Sequence, residues 1–149
     1  MPAGSMLMYD AALYGLLKCN LPNLETAPIT AVLLSAAHIA DLASHSVFAD
    51  ITQSEITGFD YARRLVTGGR IVANIGGPSF HSDTIQFGNP VTLGPAKYMA
   101  FIFGMPVGLK ANSQLLGIAS LAESGVVEAQ RSNFALSPPA SGWFQLARA

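Results

Sequence analysis

Charged side chains are scarce in this sequence. Lys, Arg, Asp and Glu make up 11% of its 149 residues, against roughly 25% in an ordinary soluble domain. The eight Lys and Arg are scattered, Arg63-Arg64 being the one adjacent pair, and the formal net charge is -1. A chain that grips a phosphate backbone concentrates cations on one face, so nucleic acid is not an expected partner. Cysteine is nearly absent as well. Cys19 stands alone, which excludes an intramolecular disulfide and a Cys-rich metal site. Set beside Leu16, Leu17 and Leu21, it is expected to be a small buried hydrophobe. A disulfide-free chain also fits assembly in a reducing cytoplasm.

Long apolar runs are missing too. A membrane-spanning helix needs about 20 consecutive apolar residues. The stretch from Tyr98 to Leu109 is broken by Pro106 and its flanking glycines, and the stretch from Ile29 to Ala43 by His38 and Asp41. The N-terminus has no basic region ahead of an apolar run, so no secretory signal is expected. Mean hydropathy is nevertheless +0.39 in a chain of 15.6 kDa. A small domain exposes much of its chain, so part of this apolar surplus is expected on the surface, where it marks contact with another protein.

Motifs that carry chemistry are the third absence. There is no Gly-x-Ser-x-Gly elbow to support a nucleophilic serine and no paired Asp-x-Asp calcium signature. Gly68-Gly69 and Gly76-Gly77 are not followed by a phosphate-binding lysine or a helix start, and read as turns. His38 and His45 lie seven residues apart, which matches no common zinc spacing. With His81 they are expected in loops or subunit contacts. Asp50 and Glu55 flank a short extended stretch and could form an acid–base pair, although two unrelated loop carboxylates explain them equally well. No catalytic residue, cofactor, metal or small-molecule substrate is expected.

What the sequence does contain is mostly β patterning. The spacing of Tyr9, Leu13, Leu16 and Leu17 puts them on one face of a short N-terminal docking helix over 6–18, capped by Ser5 and ended by Asn20 and Pro22. A β-rich body over 29–149 follows. Ile29 to Ser35 reads as a strand apolar on both faces, and Lys97 to Phe103 as another. Residues 36–46 are a helical turn or a loop. Gly68-Gly69 suggests a hairpin joining Tyr61–Thr67 to Arg70–Ile75. Asp83 to Phe87 alternates like a half-buried strand. Gln114–Leu121 and Val126–Leu136 read as a further pair around Glu123-Ser-Gly125, and Gly142 to Arg148 as a final strand carrying Trp143. Many short strands with turn signals and one helix predict a mainly β, single-domain (1–149) β-sandwich or barrel, jelly-roll-like in style. Candidate interface anchors are the large apolar residues Tyr9, Leu13, Phe59, Tyr61, Tyr98, Phe101, Trp143 and Phe144. Residues of this kind are enriched at interfaces and serve equally well in a core.

The order of segments resembles small structural proteins of tailed-bacteriophage virions, of the decoration or minor capsid type. The resemblance runs through Ala12-Leu-Tyr-Gly-Leu-Leu17, Ile29 to Ser35, Glu55-Ile-Thr-Gly-Phe-Asp-Tyr61, Gly68-Gly69-Arg-Ile-Val72 and Phe80 to Phe87. It continues through Lys97-Tyr-Met-Ala-Phe-Ile102, Leu115 to Leu121 and Gly142-Trp-Phe-Gln-Leu146. It departs where Arg63-Arg-Leu-Val-Thr separates Tyr61 from the Gly-Gly pair. The resemblance implies a non-enzymatic virion protein, assembled in the host cytoplasm, that binds the major capsid protein or another virion protein. A homotrimer on the shell is the favoured form, because shell lattices offer three-fold sites. A tail, neck or fibre component is an alternative. From a different class, a small ligand-binding β-barrel or enzyme would show a concave apolar pocket with a few convergent polar groups.

Overall fold

One strand organises the molecule. In the computed structural model, which describes residues 3–58, 60–121 and 126–147, β6 runs over Ile85–Phe103 and is paired along its whole length. Strands β1 (Met6–Met8), β2 (Ile29–Ser35), β3 (Arg64–Leu65), β7 (Leu115–Ser120) and β8 (Val127–Leu136) join it in a six-stranded antiparallel sheet. The C-terminal half of β6 lies between β2 and β7, and β1 extends the sheet beyond β7. Ala96 pairs with Ser35 of β2 and with Val127 of β8. A strand residue has only two edges, so β8 must lie opposite β2, following β7 along the same side of β6.

A second sheet has three strands, β4 (Arg70–Asn74), β5 (Gly77–His81) and β9 (Phe144–Gln145). It packs on one face of the first sheet. Leu33, Met99, Phe101 and Leu116 point from the large sheet into this layer, where they meet Phe80 and Trp143. The intervening residues Val32, Leu34, Ala100 and Ile102 point the other way, into a second cluster covered by Tyr9, Phe48 and Ile51. The central strands are therefore covered on both faces, and every residue from Ile29 to Leu34 and from Met99 to Phe103 is buried. The apolar character of those two runs, broken only by Thr30, whose hydroxyl donates to the Gly104 carbonyl, has this physical cause. A bulge at Leu116 keeps the two faces in register, since Phe101 pairs with Gly117 but Ile102 pairs with Leu115. The N-terminal half of β6 and its partner β8 bury one face only. Phe87, Val91, Leu93 and Phe134 point inward, while Gln86, Thr92, Glu128 and Gln130 are exposed.

The architecture is the expected mainly β sandwich with a short helix near the N-terminus. Several local expectations need correction. Helix α1 spans Asp10–Leu17, with Tyr9 rather than Ser5 at its N-cap. Met6–Met8, read as the first helical turn, is drawn into the sheet by pairing with Gly117–Ala119, a tertiary interaction that outweighs a short helix's own weak propensity. Gly68-Gly69 is a crossover between sheets, not a hairpin, because Arg64–Leu65 pairs with β2 while Arg70–Asn74 pairs with β5. The hairpin comes one turn later. Asn74 pairs with Gly77, leaving Ile75-Gly76 as its two-residue loop, and Gly77 has φ +139, a conformation open to glycine. Likewise β7 and β8 each pair with β6 rather than with each other. The connection read around Glu123-Ser-Gly125 and the terminal Arg148 lie outside the described residues.

Candidate interaction surface

The anchors chosen by residue type divide sharply once placed. Tyr9, Phe101 and Trp143 have no accessible surface. Tyr9 fills the outer cluster, and Phe101 meets Trp143 between the sheets, so these three stabilise the monomer and are not anchors for a partner. Phe144 is half-buried against Phe80, with ring centres 5.8 Å apart. Tyr98 is half-buried edge-on to His38. Only Leu13, on α1, is exposed among the described members of the set. Phe59 lies outside the described residues.

Tyr61 has a different role. Its hydroxyl accepts the Leu33 main-chain N–H at 3.1 Å and donates to Glu55 Oε1 at 2.8 Å. The same carboxylate receives Arg63 in a two-pronged contact, Nε to Oε1 and Nη2 to Oε2, each at 2.9 Å. Burial first, then the Glu55 charge, pushes the Tyr61 phenol up, so it stays protonated. The hydrogen bond to Glu55 holds the Arg63 guanidinium above its ordinary value. Glu55, Tyr61 and Arg63 are thereby linked to each other and, through Tyr61, to β2. Asp50 is engaged elsewhere, accepting the Ser46 and Val47 amides at 2.8 and 3.0 Å. Those two bonds hold its carboxyl below the usual range. Asp50 and Glu55 therefore have separate partner sets and do not form a pair.

The exposed apolar residues are mainly aliphatic, and apart from Leu13 and Leu17 on the docking helix the sequence did not single them out. Leu17 on α1 is 81% exposed, Ile39 after β2 is 83%, and Ile75 at the hairpin tip is 98%. Leu7 on β1, Tyr14 on α1, Ile71 on β4, Leu146, and Met105 and Val107 in the β6–β7 turn are also exposed. The signal that could have found them is position in a loop or on an edge strand, not residue type. Two open grooves adjoin this turn. One, of ≈ 490 Å³, has Leu24, Ile29, Leu65, Phe80 and Met105 in its wall. The other, of ≈ 520 Å³, lies beside Tyr61, Arg63 and Val107.

Cys19 is exposed, contrary to its expected burial. It follows the helix C-cap with φ +57, in the left-handed position that usually closes a helix. Its neighbours Gly15 and Leu16 receive the closing amides instead of burying the thiol, with Asn20 N–H donating to the Gly15 carbonyl at 2.9 Å. Among the described residues no group of three or more His, Cys, Asp or Glu gathers as it would around a metal ion. No described helix is long and apolar enough to cross a membrane, which leaves a β-barrel unaddressed. The space between the two sheets is filled by Phe80, Phe87, Phe101 and Trp143. These features define a class, a small antiparallel β-sandwich with a filled core and scattered aliphatic surface. No protein-family model, curated protein or solved structure matches the chain.

Proposed function

We propose that the chain is a non-enzymatic structural protein of a phage virion, most simply a capsid decoration protein that binds the assembled shell as a homotrimer. One observation supports this reading above the others. Large aliphatic side chains, Leu17, Ile39, Ile75 and Val107, stand in solvent on a charge-poor surface although the core beneath them is already filled. Placing such groups in water costs free energy that docking on another protein recovers, at about 25 cal/mol per Å². A stable interface needs on the order of 1,000 Å² or more.

The test combines light scattering with a shell-binding assay. Purified chain is expected to run as an oligomer and to co-sediment with phage heads that lack it. Leu17→Lys and Ile75→Lys are expected to leave the melting temperature unchanged while at least one of them abolishes assembly or shell binding. A monodisperse monomer with no affinity for heads would overturn the reading. Binding to tails alone would move the protein to the tail, neck or fibre.

A further inference from the structure

Three buried polar atoms without hydrogen-bond partners belong to neighbouring rings on the outer face of the large sheet. They are Tyr9 Oη, His38 Nε2 and His45 Nδ1. The His38 and His45 rings are 5.8 Å apart between centres, and Tyr9 lies 6.5 Å from His45. Tyr98 of β6 meets His38 edge-on at 5.9 Å. Buried polar groups are normally paired, so this concentration of unpaired ones sets the cluster apart.

The two histidines bracket a short arm, 36–45, between the end of β2 and the turn that begins at Ser46. The arm is lightly held. Asp10 N–H donates to the Leu42 carbonyl at 2.9 Å, His38 N–H to the Ser35 carbonyl at 3.1 Å, and Leu42 packs against the outer cluster. The next segment is fixed far more firmly, with Phe48 and Ala49 amides bonded to Ser113 and Ala111, and Phe48 and Ile51 in the core. Force applied between the histidines would therefore move the arm and spare the segment after it.

We propose that His38 and His45 form an acid-sensitive latch, in which protonation of both rings releases the arm 36–45 and uncovers Tyr9 and Tyr98. The two rings pack against each other at a tilt of 38°. His38 Nδ1 is already committed to Ser54 Oγ at 2.8 Å. A protonated His38 carries N–H groups on both nitrogens, and Nε2 has no acceptor in reach. Two cations at this separation, partly out of water, repel strongly.

Charged groups face the cluster from the arm, α1 and β6. Asp41 and Asp50 both feel the His45 charge, but their carboxylates are exposed and already accept main-chain amides, Ala43 and Ser44 for Asp41, Ser46 and Val47 for Asp50. From β6, Lys97 adds a cation 5.4 Å above the Tyr98 ring. From α1, Asp10 is exposed and reaches the arm through its amide. Tyr9 is a phenol that burial keeps protonated. Burial, and then the His45 charge, lowers the His38 pKa below 6.5. The sign follows: the contribution of neutral His38 is complete above 6.5 and is lost as pH falls through the folded value.

Hydrogen exchange on the whole chain tests the latch. Between pH 7.5 and 5.0, after correction for intrinsic rates, the Asp10 and His38 amides are expected to lose at least tenfold protection. Amides of β5 and of the β2–β6 pairing should not change. The His38→Gln/His45→Gln double variant is expected to lose this difference. An equal acid response in the double variant, or uniform loss of protection across both sheets, overturns the proposal. If the double variant does not fold, imidazole resonances of the native chain decide. Both histidines titrating in step with the arm amides supports the latch, and histidines that stay neutral until global unfolding refute it.

Discussion

Trp143 meets Phe101 edge-on, with ring centres 5.0 Å apart and planes at 60°. The contact ties the segment before the C-terminal strand to the central strand of the large sheet. The Trp143 indole N–H donates to Ser82 Oγ at 2.9 Å in a buried site, and the hydroxyl passes the chain on to the Asp83 carbonyl. Trp143→Ala is expected to lower stability by about 3–5 kcal/mol through cavity formation. Ser82→Ala leaves the indole N–H buried and unpaired, at a cost of about 1–3 kcal/mol. Urea unfolding followed by circular dichroism measures both, and a Ser82→Ala loss below a few tenths would show that the bond contributes little.

Tyr61 and Glu55 support a second prediction. Tyr61→Phe keeps the ring but removes the acceptor for the Leu33 amide and one donor to Glu55. It is expected to destabilise by about 1–3 kcal/mol. Glu55→Gln should cost less than Glu55→Ala, since an amide oxygen in the Oε1 position can still accept from Tyr61 Oη and Arg63 Nε. A double-mutant cycle on Tyr61 and Glu55 should give a coupling of about 0.5–3 kcal/mol, and strict additivity would contradict the link.

Tyr9 behaves in the opposite sense. Its hydroxyl is buried with no partner, so Tyr9→Phe removes a desolvated polar group and keeps the packing. Stability is expected to hold or to rise by about 1 kcal/mol. A loss of comparable size, measured by thermal unfolding at pH 7.5, would show that the hydroxyl has an unrecognised acceptor.

Cys19 gives a chemical readout. In the folded chain one thiol per molecule is expected to react with a disulfide reagent at a rate close to that of the unfolded chain, because the side chain is exposed. Cys19→Gly is expected to stabilise by up to about 1 kcal/mol, since glycine adopts the positive φ without the penalty that a Cβ brings.

Gly117 tests the N-terminal strand. A Cβ there would run into the Met6 side chain and lie 2.9 Å from the Leu7 carbonyl oxygen. Gly117→Ala is therefore expected to displace Met6–Met8 from β7, seen as loss of exchange protection at the Tyr9 amide, which donates to Leu116. Unchanged protection with unchanged stability would mean that Met6 moves aside freely.

The strands most legible in the sequence are those with the simplest environment. Ile29–Ser35 and Lys97–Phe103 are mostly apolar because both faces are covered along Ile29–Leu34 and Met99–Phe103. Partner choice was less legible. Gly68-Gly69 signals a bend equally well for a hairpin or for a crossover, and only the distant partners, β2 on one side and β5 on the other, separate the two. The first turn of the expected helix failed for the same reason, since Gly117–Ala119 lies more than a hundred positions away. Tyr9, Phe101 and Trp143 lie in the core because an aromatic ring serves a core as readily as an interface. Trp143 and Phe101 found each other across the sandwich, and the exposed positions went to aliphatics such as Leu17 and Ile75. The histidine cluster was invisible because a seven-residue spacing has no periodic meaning in a loop.

The pairing of Met6–Met8 with Gly117–Ala119 has a consequence for biosynthesis. During translation the first strand emerges long before its partner exists, and the Tyr9 cluster must wait for Leu115 and Ile118. Contacts of such long sequence separation make for slow folding, and exposed strand edges in the meantime invite association. Met6–Met8 therefore stays without its sheet partner until Gly117–Ala119 has left the ribosome.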